Sequence, residues 1–360
     1  MGGGLSPETA ELRPGPGIRW IAGPSSDHDR LRPWRAGVGP AVVLPALSGS
    51  HTPTEPALRD LALISWNTNV GGGDLPRLLT DLRAGRLTGG DSVTNFVLLL
   101  QEVYRADADV PRGAATRPRR IAQSPEHGRR SDIVDVARAQ GLHLFYVPSM
   151  SNGWTDGDAL AEDRGNAILS TLPLSDYTAI ELPFEGQRRV AASATIRVRD
   201  AAGRVTSLRT VSVHLDNRSA FDRVLHSFGS GRARQAESLA ANLLRDSSAH
   251  TPTVLAGDLN TWAPAPWERA VAILRMHFPA GNLTRGPTYA GPPMGVGRTL
   301  DYMMFRLPVI DRDPRRHAGP GNGTASDAVS FAPPVSVRLD DARGSDHFPL
   351  LARLQLIDAP

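Results

Sequence analysis

The stretch PTVLAGDLNT, residues 252–261, decides how this sequence is interpreted. Its apolar half, PTVLAG, is typical of a short buried strand, and Asp258 and Asn260 follow where that run ends. Because Gly, Asp and Asn are also common turn residues, the stretch alone predicts only a strand and a turn. It indicates a functional site only if other strands of the chain end in similar side chains.

Short apolar runs, separated by loops rich in Gly, Pro and Arg, continue along the chain from Leu58. They predict strands at 61–66, 96–101, 142–147, 166–171, 191–198, 208–213, 252–257, 300–305, 335–339 and 349–356. Apolar residues at helical spacing, with capping residues and terminal glycines, predict helices at 74–85, 131–141, 232–246 and 267–276. Many strands with interspersed helices favour two packed sheets covered by helices.

The composition of the 360 residues is that of a globular protein, with 40% hydrophobic and 21% charged residues. The lack of cysteine excludes disulfides and thiolate ligands. All 40 basic residues are arginine, which suits bidentate phosphate contacts but also follows from coding bias, and the formal net charge is only +3. The densest apolar runs are too short to cross a bilayer, so no integral membrane segment is expected.

Residues 1–56 are rich in Pro and Gly and are predicted to form an irregular N-terminal extension, with the folded domain at 57–358. The opening residues have neither the basic start nor the apolar stretch of a signal peptide. The compartment stays open, because a protein without cysteine fits the cytoplasm and also export with a leader removed.

The predicted strands share one property, which is that side chains able to bind metal or move protons stand at their ends. These residues are Asn67, Glu102, His214, Asp258, Asn260, Asp301, Asp346 and His347. Each has an ordinary alternative, since Asn and Asp form turns, a strand-end Glu is often solvated and a lone His is often structural. Together they match one chemistry, and functional groups commonly lie in loops held by a rigid sheet.

That chemistry is the metal-assisted attack of water on a phosphate ester. Mg²⁺ prefers oxygen ligands and leaves positions for water and substrate, and Glu102, supported by Asn67, provides such ligands. Asp258, steadied by Asn260, can hold and deprotonate the attacking water.

Two histidines complete the set of groups that this reaction needs. His214 and His347 can meet the charge that develops on the phosphoryl oxygens, and Asp301 is the candidate carboxylate partner of His347. The sequence has no lysine, no Walker A loop and no Gly-x-Ser-x-Gly turn, so P-loop and serine-hydrolase mechanisms lack their parts.

A resemblance to a known family rests on these residues and their neighbours. The motifs are SWN (65–67), LLLQE (98–102), RGNAILST (164–171), VHLDN (213–217), AGDLNT (256–261), LDYMMF (300–305) and SDHFPLLARL (345–354). In order and spacing, from about residue 58 to 357, the chain resembles the endonuclease/exonuclease/phosphatase superfamily, which has the DNase I-like fold. The resemblance implies an α+β fold, a four-layer αββα sandwich of two mainly antiparallel sheets, with residues 57–358 as the catalytic domain.

The resemblance also implies a divalent-metal phosphohydrolase that uses Mg²⁺, with Mn²⁺ as a substitute. The implied metal residues are Asn67, Glu102 and Asp346. The implied catalytic residues are His214, Asp258, Asn260, Asp301 and His347. The implied substrate-binding residues are Arg164, Asn166, Asn217 and Arg298. The proton acceptor stays open between Asp258 and the His347–Asp301 pair.

Several departures from the family pattern bear on the substrate. A long insertion after Glu102 carries Arg112, Arg117, Arg119, Arg120, Arg129 and Arg130, and it is equally a phosphate-binding arm or a solvated loop. The acidic stretch 155–163 is expected to repel a phosphate backbone at the rim of the site. A second insertion spans 309–334, and Trp262, Trp267 and Tyr289 can line a cleft near Asp258.

The leading hypothesis is a phosphodiesterase or nuclease acting on nucleic acid as a monomer. The alternative is a phospholipid or inositol-phosphate hydrolase of the sphingomyelinase-like kind, for which the sequence shows no clear apolar hairpin. A third is a catalytically inactive binding module, which the presence of every required acid, amide and histidine disfavours. A nucleic-acid substrate is favoured over a lipid head group or a small phosphate ester.

Overall fold

A computed structural model gives the fold. It describes residues 15, 17–46, 60–112, 130–153, 160–199, 204–217, 230–245, 251–262, 268–282, 284, 286–291, 298–307, 330–332 and 334–357. Much of both predicted insertions and Trp267 lie outside the described residues. No helix in the described ranges is both long enough and apolar enough to span a membrane.

Within the described residues, ten strands follow the predicted runs and four were not predicted. They are β1 (Arg19–Ile21), β2 (Val42–Leu44), β3 (Asp60–Asn67), β4 (Phe96–Asp107), β5 (His143–Gly153), β6 (Ala161–Ser170), β7 (Leu174–Glu181), β8 (Val190–Arg199), β9 (Val205–His214), β10 (Thr253–Asp258), β11 (Asp301–Arg306), β12 (Ser330–Phe331), β13 (Val335–Arg338) and β14 (Leu350–Ile357). The helices are α1 (His28–Arg35), α2 (Leu75–Arg83), α3 (Ile133–Gln140), α4 (Ser230–Arg245) and α5 (Arg269–His277), with a 3₁₀ turn at Ser25–Asp27.

The strands form two mixed sheets. Sheet 1 has the order β1-β7-β8-β9-β10-β11, and sheet 2 has the order β12-β14-β3-β4-β6-β5-β2, with β13 also paired to β14. The pairs β1–β7, β9–β10 and β3–β4 are parallel, and the other pairs are antiparallel.

Alternation along the strands directs side chains into separate cores. In β3, Leu61 and Leu63 face the core between the two sheets, whereas Ala62, Ile64 and Trp66 face the core under α2 and α3. On sheet 1, strand β10 behaves in the same way, with its outer side chains packed against α4 and α5. Because successive strand residues point to opposite faces, a run that is apolar at every position must be covered on both faces. The predicted four-layer αββα sandwich is confirmed.

Helix ends follow the capping residues seen in the sequence. The Asp74 side chain accepts the N–H of Arg77 at 3.0 Å at the start of α2. The Asp132 side chain caps α3, which ends at Gly141 with a left-handed φ of 63°. These residues satisfy main-chain groups that the helix itself leaves unpaired.

The irregular structure predicted for residues 1–56 is wrong between residues 19 and 44. There β1 pairs with β7 at the edge of sheet 1 and β2 pairs with β5 at the edge of sheet 2, with α1 between them. Strands of three residues are too short to show an alternating pattern, and their partners are distant in sequence. The division of the chain at residue 57 stays a prediction.

Strand β7 was not expected, because its polar start, Ser175, Asp176 and Tyr177, hides the apolar run that follows. Its pairing with β8 shifts between Ser175 and Thr178, and Asp176 adopts a φ of 51°. A bulge therefore interrupts the alternation that sequence analysis relies on.

The prediction that residues 155–163 form an acidic rim at the site is wrong for the last residue, Asp163. Asp163 is fully buried in β6 and accepts hydrogen bonds from Arg105 Nε at 3.0 Å and from the Tyr146 hydroxyl at 2.8 Å. Its neighbour Glu162 pairs with Arg130 at 3.4 Å. These two carboxylates neutralise the charges of arginines within the fold, because a buried guanidinium requires an ionic partner.

Candidate active site

Sheet 1 brings three of the predicted residues side by side. Asp258, the last residue of β10, lies opposite His214 of β9 and opposite Asp301 of β11. The preceding residue, Gly257, has a φ of 152°, and a Cβ there would lie 1.8 Å from the carbonyl oxygen of Val213. Only glycine allows β9 and β10 to approach this closely beside the site.

Sheet 2 contributes Asn67, at the end of β3, and Glu102. The pairing of β4 with β6 shifts between Leu100 and Val103, and Glu102 lies in this bulge with a left-handed φ of 49°. A bulge re-aims side chains relative to a regular strand. Gln101 points inward instead, where its Nε2 donates to Ser212 Oγ of sheet 1 at 3.0 Å.

The carboxylate of Asp258 lies at the centre of the site. Its Oδ2 accepts a hydrogen bond from Asn67 Nδ2 at 3.0 Å and lies 3.4 Å from His214 Nε2 and 3.7 Å from His347 Nε2. Its Oδ1 accepts the main-chain N–H of Asn260 at 2.8 Å. The Asn67 bond joins the two sheets at the site.

His347 and Asp301 form a buried pair. The ring Nδ1 of His347 lies 2.8 Å from Asp301 Oδ2. Burial alone would lower the pKa of His347, but the carboxylates of Asp301, Asp258 and Asp346 raise it to about 10. His347 is therefore a cation at neutral pH.

Asp258 and His214, the other two central groups, have pKa values that are shifted in opposite directions. Burial raises the pKa of Asp258 to about 7, with the Asp301 carboxylate adding to the rise and His347 opposing it. Burial lowers the pKa of His214 well below its usual value, and the charges of Arg189 and His347 lower it further. At neutral pH His214 is neutral.

The predicted metal residues have the chemistry that a divalent cation requires. The Glu102 carboxylate has Arg164 Nη1 at 3.8 Å and His214 Nδ1 at 3.9 Å, both beyond hydrogen-bond distance. Burial raises the pKa of Asp346, and although His347 opposes this, the Glu102 carboxylate raises it further. Two carboxylates that repel each other are stabilised by a cation between them, so the oxygen-rich set fits Mg²⁺.

A second possible metal cluster overlaps the predicted catalytic residues, because ligand atoms of Asp258, Asp301 and His347 lie within 4.8 Å of one another. Two ligand atoms of this cluster, His347 Nδ1 and Asp301 Oδ2, are hydrogen-bonded to each other at 2.8 Å. We therefore interpret this cluster as a charge and hydrogen-bond network.

Two half-buried aromatic rings lie next to the predicted catalytic residues. Trp262 Nε1 donates to Asn260 Oδ1 at 3.0 Å, and its ring meets that of Tyr289 edge-on at 5.2 Å. The Tyr289 ring in turn lies 5.1 Å from that of His347. The Trp262 bond fixes the orientation of the Asn260 amide, whose Nδ2 donates to the carbonyl of Leu215 at 2.9 Å.

The predicted substrate-binding residues lie in varied surroundings. Arg164 faces Glu102, whereas the Asn166 amide donates to the carbonyl of Val190 at 2.7 Å and so links the two sheets. Asn217 is exposed three residues after His214, and Arg298 is half-buried before β11. Their roles toward substrate stay predictions.

Sequence analysis missed Arg189, which is only 3% exposed. It precedes β8, whose start pairs with the end of β9, so it lies beside the strand end that carries His214. Its Nη2 donates to Gln187 Oε1 at 2.9 Å, and its Nε has no partner within the described ranges. Burial lowers the pKa of Arg189, opposed by the carboxylates of Asp216, Glu102 and Asp258. Consecutive arginines directly before an apolar strand were the available signal.

Comparison with known proteins agrees with this geometry. The sequence profile of the Endonuclease/Exonuclease/phosphatase family matches residues 64–347. The chain belongs to this family. Members of the endonuclease/exonuclease/phosphatase family are phosphoester hydrolases that depend on divalent metal. No curated protein sequence matches the chain.

Several solved structures are similar to the chain at low sequence identity. An endonuclease/exonuclease/phosphatase from Beutenbergia cavernae is similar with a TM-score of 0.50 and 22% identity, over 84% of this chain and 73% of that chain. Sphingomyelinase C from Streptomyces griseocarneus has a TM-score of 0.45 and 15% identity, over 82% and 99%. A mannosyl-6-phosphatase from Bacteroides thetaiotaomicron has a TM-score of 0.43 and 12% identity, over 83% and 100%.

Proposed function

We propose that the protein is a divalent-metal-dependent phosphodiesterase that cleaves nucleic acid by in-line attack of water. The observation that carries this proposal is the buried Asp258 carboxylate, bonded to Asn67, with His214 Nε2 at 3.4 Å and His347 Nε2 at 3.7 Å beside it. A base, an electrophile and an acidic metal site thus lie around one point where the two sheets meet.

Glu102 and Asp346, supported by Asn67, are the residues that would hold Mg²⁺ or Mn²⁺. When bound there, the ion would polarise the phosphate and offset its negative charge. The left-handed backbone at Glu102 turns this carboxylate out of the regular strand, and such strained residues occur at functional sites.

Asp258 is the proton acceptor in this proposal. The His347 ring is bonded through Nδ1 to Asp301, and the surrounding carboxylates favour its cationic form, so it serves as a hydrogen-bond donor in this proposal. Asp258 offers a carboxylate oxygen whose orientation is fixed by Asn67 and by the Asn260 main chain. An oriented base with a pKa near the working pH is the efficient arrangement for activating water.

Positive groups meet the charge that builds on the phosphoryl oxygens. The His347 imidazolium and the Arg189 guanidinium both lie in buried surroundings, where donors act more strongly than in water. Arg189 has no carboxylate within ion-pair distance among the residues that the structure describes, and a phosphate oxygen would supply that missing partner.

Nucleic acid is the favoured substrate because of the aromatic rings beside the site. Trp262 and Tyr289 are partly exposed and lie against Asn260 and His347. Rings of this kind stack on bases without regard to sequence.

A phospholipid head group is the second candidate. Strand β13 exposes Val335 at 60% and Val337 at 49%, with Arg338 next along the chain. Apolar side chains beside an arginine suit contact with an anionic lipid surface.

The test is nicking of supercoiled plasmid in Mg²⁺ or Mn²⁺, with and without EDTA. We compare the wild type with Asp258→Asn, which keeps the shape and removes the base, and with Asp340→Asn, which alters an exposed carboxylate. Metal-dependent nicking by the wild type and Asp340→Asn, lost in Asp258→Asn by a factor on the order of 10² or more, is the expected result.

Other outcomes redirect the proposal. Equal nicking by Asp258→Asn would remove Asp258 from the role of base. An absence of nicking combined with metal-dependent hydrolysis of phospholipid vesicles would transfer the proposal to the second candidate. An absence of metal-dependent hydrolysis of plasmid, vesicles and bis(4-nitrophenyl) phosphate would contradict the proposed function altogether.

A further inference from the structure

The turn at residues 182–189 connects β7 to β8 and ends in Arg189. The main-chain N–H of Leu182 donates to the carbonyl of Arg189 at 2.9 Å and closes the turn. On one side, Gln187 N donates to Asp216 Oδ2 at 3.0 Å. The position of the Arg189 guanidinium beside the site therefore depends on what holds this turn.

Glu181 lies fully buried at the base of the turn. Its carboxylate accepts hydrogen bonds from Arg35 Nε at 3.2 Å and Nη2 at 2.5 Å, from Arg188 Nε at 2.6 Å and from Gly23 N at 3.1 Å. Arg35 and Gly23 belong to the N-terminal segment, which we define as residues 17–46. Such charge-assisted bonds, with a bidentate arginine, are the strongest and most directional in proteins.

Arg188 extends this network across the molecule. Its Nη1 donates to the carbonyls of Pro148 at 3.0 Å and Ser149 at 3.2 Å, both in β5. The residue directly before Arg189 is thus fixed by Glu181 on one side and by sheet 2 on the other.

The N-terminal segment also holds the outer side of the turn, at Phe184. The N–H of Phe184 donates to Asp27 Oδ2 at 2.9 Å, and its carbonyl accepts Arg30 Nη1 at 3.3 Å. The Arg30 guanidinium lies 4.4 Å from the centre of the Phe184 ring, and the Trp34 ring lies at 6.0 Å. Both main-chain polar groups of Phe184 are therefore bonded to the N-terminal segment.

The N-terminal segment lies before the span that matches the family, which begins at residue 64. It is nevertheless joined to both sheets, through β1 to β7 and through β2 to β5. Gly39 N donates to Asp163 Oδ2 at 2.9 Å, and the Pro40 carbonyl accepts Arg105 Nη1 at 3.0 Å. The segment is thereby fixed at both of its ends.

We infer that the N-terminal segment is a positioning element of the active site. In it, Arg35 is a positioning residue that acts through Glu181 and the turn at 182–189 to place the Arg189 guanidinium for the substrate phosphate. This inference rests on the proposed hydrolase function. It gives the segment a role in phosphate recognition in addition to stability.

A double-mutant cycle tests the inference in the full-length protein. The variants are Arg35→Met, Arg189→Met and the double variant, and kcat and KM are measured on bis(4-nitrophenyl) phosphate with Mn²⁺, well below each Tm. Arg189→Met should lower kcat/KM by a factor on the order of 10². Arg35→Met should lower it by roughly 10-fold or more, since a displaced group loses much of its effect. In the Arg189→Met background, Arg35→Met should have little further effect.

Leu79→Ala is the matched control. It truncates a fully buried side chain of α2, in the core on the outer face of sheet 2 and away from the turn. It should lower Tm as Arg35→Met does, leave kcat/KM near that of the wild type and be additive with Arg189→Met. If Arg35→Met does not fold, Asp27→Asn replaces it in the cycle, because Asp27 holds the turn from its outer side.

Equal losses from Arg35→Met in both backgrounds, or a fall in Tm without loss of kcat/KM, would overturn the inference and leave the hydrolase proposal intact. If the wild type hydrolyses no phosphate ester, the proposed function fails separately. The same cycle is then read from the Kd for inorganic phosphate by calorimetry. Coupling between Arg35 and Arg189 in that Kd supports the positioning role, and its absence contradicts it.

Discussion

Gly257 shows how a single residue sets the geometry of the site. The strand pair β9–β10 carries His214 and Asp258 at one end, and the main chain of β9 occupies the space where a side chain at 257 would lie. The glycine of the GDLN motif is thus required by packing, and the acid after it is the proposed base.

Gly257→Ala should therefore be strongly destabilising and inactivating. The new Cβ would meet the Val213 carbonyl at 1.8 Å, so β9 and β10 must separate. We expect a loss of roughly 3 kcal/mol or more in the free energy of unfolding, as for severe overpacking with an unfavourable φ. Urea unfolding measures it.

The control is Gly141→Ala, at the end of α3. Gly141 also has a positive φ, of 63°, but nothing lies within 4 Å of its Cβ position. This variant should lower the free energy of unfolding by only about 1 kcal/mol and should retain activity. Equal costs for the two variants would show that backbone strain, and not the close approach of the strands, explains the glycine.

At the same scale, the sequence predicted which residues lie together better than it predicted their surroundings, and the roles of these residues stay predictions. Asp258, His214 and Asp301 could be found because each stands at one end of an apolar run. The bulge at Glu102 and the position of Arg189 could not, because both depend on pairing between strands distant in the chain.

At the scale of elements, a buried polar bridge ties β9 to β4 below the site. Ser212 Oγ donates to the Leu100 carbonyl at 2.8 Å and accepts Gln101 Nε2 at 3.0 Å. Apolar contacts hold the sheets together without setting their alignment, whereas these directional bonds define it.

Ser212→Ala should lower the free energy of unfolding by about 1–3 kcal/mol. Gln101 Nε2 donates to the Leu99 carbonyl and to Ser212 Oγ inside the core, and the substitution would remove the second of these acceptors. Denaturant unfolding checks this value. Ser207→Ala, an exposed serine on the same strand, serves as the control and should change stability by less than about 0.5 kcal/mol. A neutral Ser212→Ala would indicate that the bridge contributes nothing to stability.

The Glu181 network predicts how stability depends on pH. Burial raises the pKa of Glu181, but the Arg188 and Arg35 guanidinium groups outweigh it and lower the pKa to about 2. The folded-state pKa lies below the value of the unfolded chain, near 4.5. Stability from this group is therefore present above pH 4.5 and lost as pH falls toward 2, by roughly 3 kcal/mol in total.

Unfolding free energies at several pH values between 7 and 2 measure this loss. Glu181→Gln should be less stable than the wild type at pH 7 and should lose less stability on acidification, because it has no proton to take up. Parallel curves for the two proteins would contradict the assignment of this acid sensitivity to Glu181.

At the scale of elements, α2 to α5 and the long central strands were predicted from the sequence, because their apolar patterns are local. Helix α1 and strands β1, β2, β7 and β12 were not, and for three of these strands the reason is physical. Edge strands of three residues and a strand interrupted by a bulge derive their conformation from partners elsewhere in the fold.

For the whole molecule, the proposed metal site predicts a stability that depends on divalent cations. Glu102 and Asp346 repel each other without a cation, so an ion that binds only the folded state stabilises it by mass action. At a concentration about 100 times Kd, the gain is roughly 2.7 kcal/mol, which raises Tm by several degrees.

Thermal unfolding with EDTA, and then with increasing Mg²⁺ or Mn²⁺, checks this prediction. Glu102→Gln should reduce the metal-dependent rise in Tm, whereas Asp91→Asn should keep it. Asp91 is an exposed carboxylate that pairs with Arg353, near the end of β3 opposite to Asn67. A wild-type Tm that is the same in EDTA and in excess metal would count against the site.

The hydrogen bond between Asn67 and Asp258 crosses from one layer of the sandwich to the other. Each layer therefore carries half of the candidate site residues. A displacement of about 1 Å between the layers is enough to lower the rate by a factor on the order of 10². Heating or pressure that displaces one layer relative to the other should abolish activity while the hydrogen bonds within each sheet remain intact. The turnover rate would then report a change in the alignment of the two layers before any spectroscopic measurement of secondary structure does.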